Sequence, residues 1–144
     1  MNYTFIIPFY NEDQNVHALN DQIINNIKKI SDEKRKFEII YVDDGSNDNT
    51  FGELKKLNSN NVETTIIRHR INMSQSAALN TGISNAKYEN LIILDGDLQN
   101  DPNDVSKMVN EFEKGVDMII GWRKNRKDNF FSKSLPSIIA NFIV

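Results

Sequence analysis

The run FEIIYVDDGS, from Phe37 to Ser46, decides the fold. Phe37 to Val42 is apolar apart from Glu38, with no alternation of apolar and polar positions. A strand with that pattern is covered on both faces, as in a parallel sheet. The Asp-Asp-Gly-Ser that follows is turn and helix-cap chemistry. Working outward, runs of the same kind recur at Tyr3 to Pro8 (YTFIIP), Thr64 to Arg68 (TTIIR), Asn90 to Leu94 (NLIIL) and Asp117 to Gly121 (DMIIG). Each is expected to be a strand.

Helical spacing fills the intervals. Val16, Leu19, Ile23, Ile27 and Ile30 mark one amphipathic helix. Phe51, Leu54 and Leu57 mark a second, with Ser46, Asn47 and Asp48 as cap candidates. Ser74 to Asn85 reads as a third, with a small face at Ala78 and Gly82. A fourth starts with Asp101 as N-cap and Pro102 in the first turn, and buries Val105, Met108, Val109 and Phe112. Ser132 to Val144 reads as the start of one more. The alternation predicts an α/β domain with a mostly parallel sheet and helices on both faces. One domain is expected over residues 1–131, followed at 132–144 by the start of an amphipathic helix whose apolar face meets either a membrane surface or the rest of the protein.

The composition suits one globular domain: 144 residues, 39% hydrophobic, 26% charged. Without cysteine, neither a disulfide framework nor a thiolate metal site can be built. The start lacks the pattern of a signal peptide, and no apolar run approaches the ~20 residues that span a bilayer. The expectation is a cytosolic or peripheral chain. Its net charge is −3, unevenly placed. Between Arg123 and Lys133 five positive residues face Asp128 alone, a net +4 that leaves −7 elsewhere. Such a run is usually a solvated turn; the sharper reading is a phosphate or anionic-membrane contact.

Open α/β sheets bind ligands beyond the carboxyl ends of their strands. Those ends carry Pro8-Phe9-Tyr10-Asn11-Glu12, Asp43-Asp44-Gly45-Ser46, Asp95-Gly96-Asp97-Leu98-Gln99 and Trp122-Arg123. Four aspartates converging at one rim would repel unless a cation joined them. Hard oxygen donors suit Mg²⁺ or Mn²⁺, whose shell substrate phosphates complete. Either aspartate pair alone reads as a turn; two pairs at strand ends favour a metal-bound diphosphate. Triphosphatase and dinucleotide motifs are absent. With only His17 and His69, a histidine-rich zinc centre is not expected, and packing or surface roles are the better reading of both.

These residues resemble family-2 glycosyltransferases of the GT-A fold, nearest to the dolichyl-phosphate mannosyltransferase and undecaprenyl-phosphate sugar transferase branch. The resemblance rests on IIPFYNE (Ile6 to Glu12), YVDDGSNDNT (Tyr41 to Thr50), the helix start from Asn72 to Gly82, LDGDLQNDP (Leu94 to Pro102) and GWR (Gly121 to Arg123). It implies nucleotide binding by Pro8, Tyr10, Asn11, Glu12, Asp43, Asp44 and Asp95. It implies metal and diphosphate binding by Asp95, Asp97 and Gln99, with Asp97 and Arg123 catalytic. Arg123, Lys133 and Ser137 fall where related enzymes contact the acceptor phosphate. Relatives often carry glycine at the position of Ser74.

The implied reaction is metal-dependent, inverting transfer from a UDP- or GDP-sugar to a polyprenyl phosphate at the cytoplasmic face of a membrane. No nucleic-acid partner is expected, and a homo-oligomer is left open. Members of the family extend beyond the length of this chain, which therefore reads as a fragment. Two rival readings stand beside this one: a truncated module that binds a nucleotide sugar without transferring it, and an aspartate-based phosphotransfer domain.

Overall fold

The computed structural model describes residues 1–32, 34–57, 62–99 and 104–121. The elements follow in the order β1 (Asn2–Phe9), α1 (Val16–Ile30), β2 (Lys36–Asp43), α2 (Thr50–Leu54), β3 (Glu63–Arg68), α3 (Gln75–Ser84), β4 (Asn90–Ile93) and α4 (Asp104–Phe112). All four strands pair in parallel, in the order β3-β2-β1-β4. The α/β architecture read from the apolar runs is therefore present.

Strand periodicity sorts the core into two layers. Tyr3, Phe5, Ile7 and Phe9 of β1 join Phe37, Ile39 and Tyr41 of β2 on one face. The apolar stripe of α1 covers them, helped by Leu54, Val105 and Val109. All five residues that mark α1 in the sequence are buried. Full burial of each such side chain is worth about 1.5–3 kcal/mol, so this layer anchors the sheet. On the opposite face Ile40 and Val42 pack on Ala78 of α3. Ala78 and Gly82 are the buried positions of α3; the space for a Cβ at Gly82 is taken by the Ile6 side chain. Small residues thus let α3 lie close on β1.

Two expectations change. The run from Asp117 to Gly121 forms no strand. Met118 and Ile120 are 74% and 80% exposed, beside β4, an edge strand among the described residues, where Leu91 and Ile93 are also exposed. An apolar run becomes a strand only when a ladder partner and packing support it, and no ladder forms here among the described residues. The second helix is also shorter than its apolar spacing implies, ending at Leu54. Its N-cap is Asn49, one residue past the three candidates read from the sequence; Asp48, just before it, accepts from the Thr50 N–H at 2.9 Å and the Thr50 hydroxyl at 2.6 Å. The helix starts expected at Asp101 and Ser132 lie outside the described residues.

The strand order positions the site. The direction in which strands are added reverses at β1, because β2 and β3 build to one side of it and β4 to the other, all parallel. That reversal is where open α/β sheets bind ligands. Ile6 gives its carbonyl to the Leu94 N–H at 3.2 Å. Two residues on, Pro8 lies beyond the last β4 pairing, which joins Ile6 and Ile93. A proline can stand in this central strand because its missing N–H faces the end of the ladder. There the strands part and a crevice opens.

Candidate functional site

A cavity of about 560 Å³ fills that crevice. Pro8, Tyr10 and Glu12 line it from the β1 loop, Asp44 from the β2 loop, and Asp95, Asp97 and Gln99 from the β4 loop. Seven residues singled out in the sequence therefore meet at one rim. Phe9, Asn72, Ser74, Gln75 and Gly96 also line it, and the sequence reading assigns them no role. Gly96 is a close approach: a Cβ there would stand 2.7 Å from the Phe9 ring and 2.9 Å from the Pro8 carbonyl oxygen.

Asn11 and Asp43 brace the rim and are not among the cavity-lining residues. Asn11 takes a left-handed φ of 56°, a conformation asparagine tolerates better than most residues. Its N–H donates to Ser46 Oγ at 3.0 Å, and its Oδ1 accepts from the Asn47 N–H at 2.9 Å. The Glu12 N–H donates to Thr50 Oγ1 at 2.9 Å and the Asp13 N–H to Asp48 Oδ2 at 3.2 Å. Four bonds thus tie the β1 loop to the β2 loop. Burial works against ionisation of Asp48, but the bonds from Thr50 and Asp13 outweigh it and hold the carboxyl below its usual value. Asp43 is fully buried, and its Oδ1 accepts the Ser46 N–H at 3.0 Å. Its Oδ2 makes no hydrogen bond but lies 3.1 Å from Arg68 Nε, an ion pair. Between them Gly45 turns at a φ of +68°, with no room for a Cβ against the Ile71 backbone.

The expected meeting of four carboxylates is therefore a meeting of three, because Asp43 turns into its own loop. Among the described residues no three acidic or histidine side chains group closely enough to hold a metal by themselves. Two carboxylates remain on the β4 loop. Asp95 Oδ1 accepts from Gln75 Nε2 at 2.8 Å, and Asp97 Oδ1 accepts the Gln99 N–H at 3.0 Å. A pair of carboxylates with an amide oxygen nearby fits a hard cation that takes the rest of its shell from phosphate and water. Trp122, Arg123, Lys133 and Ser137 lie outside the described residues.

Opposite the β4 loop, a histidine stands behind Asp44. His69 is the first residue after β3, and its ring is mostly buried. Nδ1 lies 2.7 Å from Asp44 Oδ1, and Nε2 lies 2.9 Å from Thr81 Oγ1 on α3. Asp44 Oδ1 also accepts the Met73 N–H at 2.9 Å. Directly after Met73, Ser74 adopts φ 90° and ψ 155°, a region that essentially only glycine occupies. The loop thus keeps a glycine-type shape with serine in place, and the Ser74 carbonyl still accepts the Ala78 N–H at 3.1 Å to start α3.

Known proteins match this arrangement. Dodecaprenyl-phosphate galacturonate synthase of Rhizobium johnstonii is 36% identical over 143 residues, covering 98% of this chain and 41% of the relative. Undecaprenyl-phosphate 4-deoxy-4-formamido-L-arabinose transferase of Proteus mirabilis is 34% identical over 141 residues, covering 96% of this chain and 42% of that protein. This chain thus spans about two fifths of the length of these curated relatives. The mannosyltransferase PcManGT of Pyrobaculum calidifontis, solved with GDP-Man and Mn²⁺, superposes with a TM-score of 0.59 at 24% identity, over 74% of this chain and 31% of that one. That likeness places the sheet among GT-A glycosyltransferase folds. The profile of glycosyl transferase family 2 matches residues 4–143, and the chain belongs to that family.

Proposed function

We propose that this chain is the donor-binding part of an enzyme that moves a sugar from a nucleotide sugar to a polyprenyl phosphate. The observation that carries the reading is the cavity at the β1/β4 switch point, lined by Asp44, Asp95 and Asp97. The names of the two curated relatives supply the acceptor class, and the GDP-Man and Mn²⁺ complex of the mannosyltransferase supports the donor class and the metal.

Pro8, Tyr10, Glu12 and Asp44 form the wall that would take the nucleoside. Asp95, Asp97 and Gln99 would hold Mg²⁺ or Mn²⁺. When bound, that ion neutralises charge building on the departing nucleoside diphosphate. Arg123 is assigned to the same phosphates, and Lys133 and Ser137 to the acceptor phosphate. In the transfer, an acceptor phosphate oxygen bonds to the sugar's anomeric carbon as the bond from that carbon to the donor phosphate breaks. One displacement inverts the anomeric centre. The attacking oxygen is already anionic, so no protein base need remove a proton. Both histidines are already paired, His17 with Glu53 and His69 with Asp44. The basic run from Arg123 to Lys133 is assigned to the anionic membrane surface that would carry the acceptor.

The described cavity lining belongs to the wall assigned to the donor and metal, which also suits a second reading: donor binding without transfer. Incubation of the chain with UDP- or GDP-sugars, Mn²⁺ and a short polyprenyl phosphate separates the two. Glycosylated lipid with release of nucleoside diphosphate supports the enzyme. Donor binding without product assigns this chain the binding half alone.

A further inference from the structure

We propose that His69 is a positioning residue that sets the orientation of the Asp44 carboxylate toward the nucleotide; this rests on the donor-binding reading above. Asp44 is the one carboxylate that the β2 loop contributes to the cavity lining. A carboxylate that selects a ligand by hydrogen bonding must hold its free oxygen in one place before the ligand arrives. Asp44 receives two bonds on the same atom, Oδ1, from His69 Nδ1 and the Met73 N–H. Oδ2 is thereby left to accept from what enters the cavity.

The imidazole is itself clamped. Its backbone N–H donates to the Asp43 carbonyl at 2.9 Å, which fixes the Cα at the end of the ladder. Nδ1 donates to the carboxylate, so Nε2 is left to the Thr81 hydroxyl. A hydroxyl both donates and accepts, and the ring therefore keeps its orientation whether neutral or charged. Thr81 lies nearly two turns into α3, whose backbone is fixed against β1 by Gly82 and Ile6. The chain of contacts runs from a packed helix through an imidazole to the cavity wall. It resembles the carboxylate–histidine pairs by which proteins orient a ligating group from behind. A surface or packing role alone would not place both ring nitrogens in hydrogen bonds to groups from two different elements.

The test uses two amides that each replace half of the ring. Asparagine sets its amide nitrogen near the position of Nδ1, and glutamine near that of Nε2. His69→Asn should keep the Asp44 bond, and His69→Gln should lose it while still reaching Thr81. UDP and GDP are titrated with Mn²⁺ into the 144-residue chain and each variant, and melting temperatures are recorded alongside. Affinity in His69→Asn is expected within about threefold of the parent, whereas His69→Gln should weaken it about tenfold or more, equivalent to about 1.4 kcal/mol. Thr81→Val, which frees the ring but leaves Asp44 bonded, should weaken binding about threefold and serves if His69→Gln does not fold. Equal affinity in all variants, or equal loss in the asparagine and glutamine variants, overturns the positioning role. Failure of the parent chain to bind either nucleotide instead overturns the donor-binding reading itself.

Discussion

Asp43 and Asp44 are adjacent in sequence, yet Asp43 Oδ1 bonds the Ser46 N–H within its own loop while Asp44 faces the cavity, its Oδ1 2.7 Å from His69 Nδ1. One aspartate shapes the loop and the other lines the cavity. Removing Asp43 leaves a buried N–H without a partner and Arg68 without its counter-charge. Asp43→Ala is expected to cost about 2 kcal/mol of stability, read as a lower melting temperature. Asp44→Asn keeps the shape and should melt within a few degrees of the parent while losing donor affinity about tenfold. A stable Asp43→Ala protein that loses only affinity would reverse the two assignments.

Ser74 pays for its φ of 90° in backbone strain. Such a conformation costs a side-chain-bearing residue about 1–3 kcal/mol, while a glycine there adds about 0.5–1 kcal/mol of unfolded-state entropy. Ser74→Gly is therefore expected to raise stability by about 1 kcal/mol in denaturant melts, with donor affinity kept. A destabilised glycine variant would mean that the serine side chain contributes more than its backbone costs.

At the opposite end of the sheet, Glu113 receives Arg35 Nε at 2.8 Å and Arg35 Nη2 at 2.6 Å. The guanidinium bond, reinforced by the Tyr3 hydroxyl, holds the Glu113 carboxyl down to about 2, against an ordinary value of 4.5. The folded value lies below the unfolded one. The pair's contribution is thus whole above about pH 4.5 and is lost as the pH falls from there toward about 2. Both side chains are partly exposed, so the contribution is modest, about 1 kcal/mol. Glu113→Gln should lower stability by that amount at pH 7 and lose less of it on acidification. Parallel acid limbs in the two proteins would exclude the pair as the cause.

The sheet and the helices on its faces are legible in the sequence because their signals are local. Five apolar positions at helical spacing bury α1, and continuous apolar runs bury β1 and β2. The run at Met118 to Ile120 carries the same local signal and fails, because a strand needs a neighbouring ladder that no local pattern encodes. The rim is legible for a related reason: strand ends can be counted, and the topology gathers them. What stays hidden is which way each side chain turns. Asp43 and Asp44 read identically until the loop places one inward. His69 finds Asp44 and Thr81 across 25 and 12 residues of chain, a meeting made by α3 packing and by nothing near His69. A serine at a position where the family resemblance implies glycine is the one local hint of the strained loop there.

The most direct test of the central claim is calorimetric titration of this chain with UDP- and GDP-sugars, with Mn²⁺ and again in EDTA, in the parent and in Asp97→Asn. Saturable binding of one nucleotide class is expected with Mn²⁺, with a loss of at least about tenfold both in EDTA and in the asparagine variant. Affinity that is the same in EDTA and in Asp97→Asn would contradict a metal-bound diphosphate at the β1/β4 crevice.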